Sequence, residues 1–227
     1  MPPPTLKPSP LDPRMGLGTY ITNPSSHPPS TVIYHDDNFV ALRDRYPKAT
    51  VHALLLPRDE ELSLRHPLEA LAHHDVRALF EAELPKLVRL VAMELRRVLS
   101  SGDYGQDAQG SPSTTEPPST DPPPERDWSK EIITGVHANP SMRHLHIHVL
   151  SRDMHSPTLR HRKHYNSFTT PFLIRLDEFP EAAAQRAVRG RRLRDDLVCW
   201  RCGRAFGNRF ASLKGHLEEE FGAWRRG

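Results

Sequence analysis

The stretch HLHIHVL, residues 144–150, places a histidine at every second position of a short apolar run. Because side chains alternate across a β-strand, the three histidines share one face and the apolar residues between them share the other. The two sets are His144, His146 and His148, and Leu145, Ile147 and Val149. The apolar face is expected to anchor the strand to helices, which leaves the imidazoles to line a cleft.

Three imidazoles in such a row have more than one use. They can bind zinc and leave an open coordination position for water. One of them can instead act as a nucleophile, because an imidazole can attack phosphorus and later leave, with its neighbours as hydrogen-bond partners. They can also pack without any chemical role. The run by itself does not decide between these readings.

The surrounding pattern predicts an α+β fold in which helices pack against an antiparallel sheet. After a short helix at 14–22, three β-rich runs read as a meander, and two more strands follow a long helix and an insertion. The helical pattern extends from Pro67 to Leu99, and Pro85 is expected to kink or break it. The predicted strands are residues 31–35, 38–44, 51–57, 130–138 and 144–150.

The 227 residues, 37% of them hydrophobic, suffice for one core and a small second unit. We predict a disordered N-terminus at 1–13, a catalytic domain at 14–180, and a basic helix with a small C-terminal domain at 181–227. Residues 101–127 contain six prolines and carry six acidic residues against one arginine, which predicts a disordered insertion. No stretch reads as a signal peptide or a membrane span, so a soluble, intracellular protein is expected.

The C-terminal segment predicts nucleic-acid binding and a metal site. From Arg186 to Gly227 there are eleven Lys or Arg against five Asp or Glu, and such a basic block indicates a polyanionic partner. Phe206 and Leu213 are the predicted core of a zinc finger, and a redox C-x-x-C is the alternative reading. The predicted ligands of a structural zinc are Cys199, Cys202, His216 and Glu220, with Glu219 as the fallback for the last position.

Three stretches around these motifs carry a family resemblance: GVHANPSMRHLHIHVLS at 135–151, SPTLRHRKHYNSF at 156–168 and RDRYPKATVHALLLPR at 43–58. They resemble the histidine triad family of nucleotide hydrolases and transferases and, within it, the aprataxin group of DNA deadenylases with a C-terminal zinc finger. The resemblance covers residues 14–227 apart from 101–127, which has no evident counterpart.

The resemblance implies a role for each matching residue. His146 corresponds to the nucleophile that attacks the α-phosphorus of an adenylate. The flanking histidines, His144 and His148, would orient it and bind phosphate oxygens, and His137 would protonate the leaving phosphate. The implied substrate-binding residues are Ser141 and Lys163 for phosphate, Asp44 for the ribose hydroxyls, and His52 as a support beneath the triad.

The implied function is that of a nuclear hydrolase in the repair of DNA single-strand breaks. It would remove AMP from 5′-adenylated DNA or RNA–DNA ends left by abortive ligation, through a covalent histidine–AMP intermediate and without a catalytic metal. Its partners would be nicked or double-stranded DNA, with AMP as product, and a monomer is expected. The DNA contacts we predict are Tyr20, beside Leu17 on the short helix, and Arg191, Arg192 and Arg194.

Two other functions stay open at this point. A general nucleoside phosphoramidate or dinucleoside polyphosphate hydrolase would use the same triad without the finger. A nucleic-acid-binding protein with an inert triad would bind through the finger and catalyse no reaction.

Overall fold

A computed structural model of the protein describes residues 12–100 and 126–226. Most of the two segments predicted to be disordered, 1–13 and 101–127, lies outside the described residues. The described structure nevertheless includes the last two residues of each predicted segment, 12–13 and 126–127. Asp12 caps a 3₁₀ turn at Pro13–Met15, and Asp127 caps another at Trp128–Glu131.

Six antiparallel strands form the central sheet. They are β1 (Val32–His35), β2 (Phe39–Arg43), β3 (His52–Pro57), β4 (Ile132–His137), β5 (Ile147–Ser151) and β6 (Leu173–Ile174). The spatial order is β1-β2-β3-β5-β4-β6, so the triad strand β5 lies between β3 and β4. The predicted meander of the first three strands is confirmed. Strand β6 was not predicted, because two residues carry no readable alternation.

The start of the triad strand was predicted wrongly. Strand β5 begins at Ile147, so His144 and His146 precede it in a bend and an irregular segment. Only His148 is held by strand pairing, opposite Leu54 on one side and Gly135 on the other. A side chain at Gly135 would meet the carbonyl oxygen of Ile174 at 2.6 Å, so this glycine lets β6 close over the sheet.

The remaining elements are helices and one short hairpin. The helices are α1 (Gly18–Thr22), α2 (Glu60–Ser63), α3 (Pro67–Ala70), α4 (His74–Ser100), α5 (Arg162–Thr169), α6 (Arg186–Arg191) and α7 (Phe210–Arg226); strands β7 (Leu197–Val198) and β8 (Ala205–Gly207) pair with each other. The predicted helix at 67–99 is divided between Ala70 and His74, and α4 continues through Pro85. Because Phe80 and Leu87 are fully buried on either side of the proline, core packing outweighs the loss of one helical hydrogen bond.

Apolar side chains pack on both sides of the sheet, and only the packing of Leu145, Ile147 and Val149 against helices was predicted. Leu145, Ile147 and Val149 pack with the buried face of α4 on one side of the sheet. On the other side, Leu150 packs with Tyr165 of α5 and with residues of the C-terminal segment. Among the described residues, no helix combines the length and hydrophobicity needed to cross a bilayer.

The finger does not have a core of its own. Phe206 and Leu213 are buried as predicted, but they belong to the same apolar cluster as Leu150 and Tyr165. The Tyr165 hydroxyl donates to the Val198 carbonyl and accepts from the backbone N–H of Trp200, each at 2.9 Å. The catalytic domain and the finger are therefore one continuous packed unit.

Candidate active site

A cavity of about 1040 Å³ opens on the face of the sheet opposite α4. The ends of β2, β3, β4 and β5, helix α1 and the first turn of α5 all contribute to its wall. It brings together most of the residues predicted from the sequence, which are Leu17, Tyr20, Asp44, His52, His137, Ser141, His146, His148 and Lys163. His144 is buried but does not line the cavity; its ring lies against Gly18, where a Cβ would come within 3.2 Å of Nε2.

The hydrogen bond of His146 fixes which ring nitrogen is reactive. Its Nδ1 lies 2.7 Å from the carbonyl oxygen of His144. A carbonyl only accepts, so Nδ1 carries the hydrogen and Nε2 keeps its lone pair. Since His146 lines the cavity, Nε2 is the atom available as a nucleophile.

A chain of hydrogen bonds fixes the two histidines behind it. The backbone N–H of Lys48 donates to Nδ1 of His52 at 3.2 Å, so His52 must carry its hydrogen on Nε2. That Nε2 donates to Nδ1 of His148 at 3.0 Å. The hydrogen of His148 is thereby placed on Nε2, a buried atom without a protein acceptor in the described part of the chain. His148 is set up as a hydrogen-bond donor to a bound group.

All of these imidazoles are held neutral by burial. Desolvation lowers the pKa of His52 to about 4 and that of His137 to about 3. Burial also lowers the pKa of His146, and it lowers that of His148 well below its ordinary value. A neutral His146 needs no deprotonation before it attacks an electrophile.

The same region contains a cluster that resembles a metal site, because ligand atoms of Asp44, His52 and His148 lie within 4.8 Å of one another. The hydrogen-bond pattern opposes this use. Nε2 of His52 carries the hydrogen that it donates to His148, so it has no lone pair for an ion. The Asp44 carboxylate lies 3.6 Å from that Nε2 and accepts from the backbone N–H of Tyr46 at 2.7 Å. Asp44 also lines the cavity.

The cavity wall includes residues that we did not predict. Lys163 and Ser141 line it as expected, and Lys48 and His164 also line it. Burial lowers the pKa of Lys48, against an opposing effect of Asp44. Lys48 stands inside the quoted stretch RDRYPKATVHALLLPR, and its position between two site residues was a signal for it.

Of the four predicted DNA contacts, Tyr20 lines the cavity and the three arginines do not. Tyr20 packs partly on the apolar face of the sheet and also lines the cavity, and its ring lies 4.3 Å from that of His27. Arg191, Arg192 and Arg194 are exposed, and Leu193 between them reaches the cavity wall. Arg192 is engaged with Asp195 through an ion pair of 2.9 Å.

The four predicted metal ligands converge at the finger. Ligand atoms of Cys199, Cys202, His216 and Glu220 all lie within 4.8 Å of one another. Gly203, with φ of +75°, allows the tight turn after Cys202. This set of two thiolates, an imidazole and a carboxylate suits tetrahedral zinc, which would hold the hairpin to α7.

The fallback ligand Glu219 is not part of this group. Its side chain is 81% exposed, and its carboxylate lies 3.8 Å from Nδ1 of His216, the nitrogen on the far side of the ring from Cys202. The second oxygen of Glu220 is bonded to Arg201 at 2.6 Å. Arg201 thus orients the carboxylate whose other oxygen faces the site.

Comparison with known families agrees with this architecture. The sequence matches the family model of the HIT domain at residues 25–155. It matches the family model of the C2HE / C2H2 / C2HC zinc-binding finger at residues 169–223. Fold and site together define a histidine triad protein with a C-terminal zinc-binding finger.

Similar proteins and solved structures show which family of histidine triad proteins the chain belongs to. The chain is 37% identical to an aprataxin-like protein of Schizosaccharomyces pombe over 93% of its own length and 82% of the relative's. It is 33% identical to an aprataxin-like protein of Saccharomyces cerevisiae over 92% and 95%. A crystal structure of the aprataxin ortholog Hnt3 in complex with DNA superimposes with a TM-score of 0.75 at 35% identity, covering 93% of this chain and 96% of that one. This chain belongs to the aprataxin family.

Proposed function

We propose that this chain removes AMP from 5′-adenylated DNA or RNA–DNA ends through a covalent adenylate on His146. Membership of the aprataxin family supports DNA 5′-adenylate hydrolysis as the reaction. The observation that carries the mechanism is the 2.7 Å bond from Nδ1 of His146 to the His144 carbonyl, which leaves Nε2 as a fixed, neutral nucleophile in the cavity.

In the first step, the lone pair of Nε2 attacks the α-phosphorus of the adenylate. The bond from that phosphorus to the bridging oxygen breaks, and the 5′-phosphorylated DNA leaves with the electron pair. In the second step, water attacks the phosphorus, its proton passes to His137, which is neutral once the leaving phosphate has been protonated, and the P–N bond breaks, which releases AMP and restores His146. The Nε2–H of His148 and the cations of Lys163 and Lys48 would stabilise negative charge on the phosphate oxygens.

His137 is assigned to protonate the leaving phosphate, and its environment sets a condition on that role. Its pKa of about 3 keeps the ring neutral in the substrate-free protein. A bound phosphate beside the ring favours the imidazolium form, so the proton must arrive together with the substrate. Asp44 would accept the ribose hydroxyls. No step is assigned to a metal ion, and zinc is assigned a structural role in the finger.

DNA recognition is assigned to the surfaces around the cavity. Tyr20 would stack at the end of the duplex, and the exposed side chains of Arg191 and Arg194 would contact backbone phosphates, with Arg192 beside them. The DNA complexes of the aprataxin ortholog Hnt3, one of them with guanosine, support DNA as the partner. Action as a monomer and a nuclear location belong to the same proposal.

The test compares two substrates, 5′-adenylated nicked DNA and a small adenosine phosphoramidate. We expect a much higher kcat/KM for the DNA substrate; a preference for the small molecule would instead favour a general phosphoramidate hydrolase. His146→Asn keeps size and polarity, so it should abolish turnover of both while preserving the melting temperature and DNA binding. Retention of more than a few per cent of activity would identify a different nucleophile.

A further inference from the structure

The chain immediately before α1 is bonded to the loop that leads into the triad. The Asp12 carboxylate accepts from Nε of Arg143 at 3.0 Å and from the backbone N–H of Arg14 at 2.9 Å. Nε of Arg14 donates to the Ser141 carbonyl at 3.0 Å, and the backbone N–H of Arg143 donates to the Arg14 carbonyl at 3.0 Å. We call this group, Asp12, Arg14 and Arg143, the N-terminal clamp.

The clamped loop supplies two parts of the proposed chemistry. Ser141, at its start, lines the cavity as a predicted phosphate contact. His144, at its end, provides the carbonyl that holds the hydrogen on Nδ1 of His146. The loop lies outside strand β5, so no strand pairing fixes it. Its position depends on contacts such as the clamp.

Packing beneath the loop adds to these bonds. Gly18 lies directly against the His144 ring, where even a Cβ would come within 3.2 Å of Nε2. On the other side, the backbone N–H of Leu145 donates to the Ser63 carbonyl at 2.6 Å. The loop is thus held between the N-terminal segment and α2, and the Asp12–Arg143 ion pair is the side-chain contact that joins the N-terminal segment to Arg143.

We propose that Arg143 and Asp12 are positioning residues for the nucleophile: their ion pair holds the Ser141–His144 loop in the geometry that presents Nε2 of His146 for attack. This inference deepens the proposed function and rests on it for the identity of the reaction. A small displacement of a nucleophile from its attack geometry costs up to about a hundredfold in rate. Because the pair is at the surface, with Arg143 49% exposed, its loss should affect the rate and not the fold.

The experiment measures kcat and KM of Arg143→Ala, Asp12→Ala and the double variant on both 5′-adenylated nicked DNA and the adenosine phosphoramidate. We expect kcat to fall by about tenfold, equally on both substrates, while KM stays within about twofold of the wild-type value and the melting temperature does not change. The double variant should lose no more than Asp12→Ala alone, because Asp12→Ala already removes the pair, together with the bond from the Arg14 N–H. Arg143→Lys, which keeps a charged donor, should retain most of the activity.

The matched control is Arg175→Ala, which removes another exposed Arg–Asp pair, with Asp177 at 2.7 Å, away from the loop. It should leave both kinetic constants unchanged. A loss confined to the DNA substrate would overturn the proposal and make Arg143 a DNA contact, and wild-type kcat in the Arg143→Ala variant would overturn it outright. A wild-type protein inactive on adenylated DNA would refute the proposed function, while the phosphoramidate measurements would still decide the role of the clamp.

Discussion

The buried imidazole of His52 makes the stability of this protein depend on pH in a direction that can be worked out. Burial holds its pKa at about 4 in the folded chain, whereas an exposed histidine has an ordinary value of 6.5. Protonation therefore favours the unfolded chain. The contribution of the neutral ring is complete above pH 6.5 and is lost as the pH falls from 6.5 toward 4.

The size of the effect follows from the two pKa values. The difference between the folded and unfolded pKa values of His52 corresponds to about 3 kcal/mol in the free energy of unfolding. About 2 kcal/mol of this is lost when the pH falls from neutral to 5.0. His52→Gln removes the titration while keeping the hydrogen bonds. The glutamine oxygen can accept from the Lys48 backbone N–H, and its amide can donate to His148.

The assay is urea unfolding followed by tryptophan fluorescence at pH 7.5 and pH 5.0. Between these pH values the wild type should lose about 2 kcal/mol more than His52→Gln. The zinc ligands and the histidines outside the His52, His137 and His148 group are common to both proteins, so their effects cancel in the difference. His74→Gln, at a side chain that is 80% exposed, is the control and should follow the wild type. Equal losses in the wild type and His52→Gln would refute the assignment of a buried neutral ring.

Two further predictions concern the finger. Tyr165→Phe removes the hydroxyl that is hydrogen-bonded to the backbone of Val198 and Trp200. The free energy of unfolding, measured by urea unfolding, should therefore fall by about 2 kcal/mol. An unchanged value would mean that this contact between α5 and the finger does not stabilise the fold. Glu220→Ala should weaken zinc binding in a chelator competition, because it removes one of four converging ligands, whereas Glu219→Ala should leave it unchanged. The opposite ranking would exchange the roles of the two glutamates.

The alternation in HLHIHVL predicted which side chains face the helices, and it placed His146 and His148, but not His144, correctly in the cleft. That prediction held for Leu145, Ile147 and Val149, because period-two alternation is a local property of extended chain. It failed at the start of the strand, where hydrogen-bond pairing decides and His146 lies outside the sheet. The spacing of Cys199, Cys202, His216 and Glu220 likewise predicted a convergence that depends on one hairpin and one helix.

Contacts between residues distant in sequence were decided by the tertiary structure alone. The hydrogen position on His148 depends on His52 and on the backbone of Lys48, about a hundred residues away, and no local pattern encodes such a bond. The pairing of Asp12 with Arg143 is equally non-local, and it gives order to residues whose composition predicted none. The sequence by itself determined which chemical groups are present and their local periodicity. Their tautomers, pKa values and alignment depend on burial and on partners that only folding brings together.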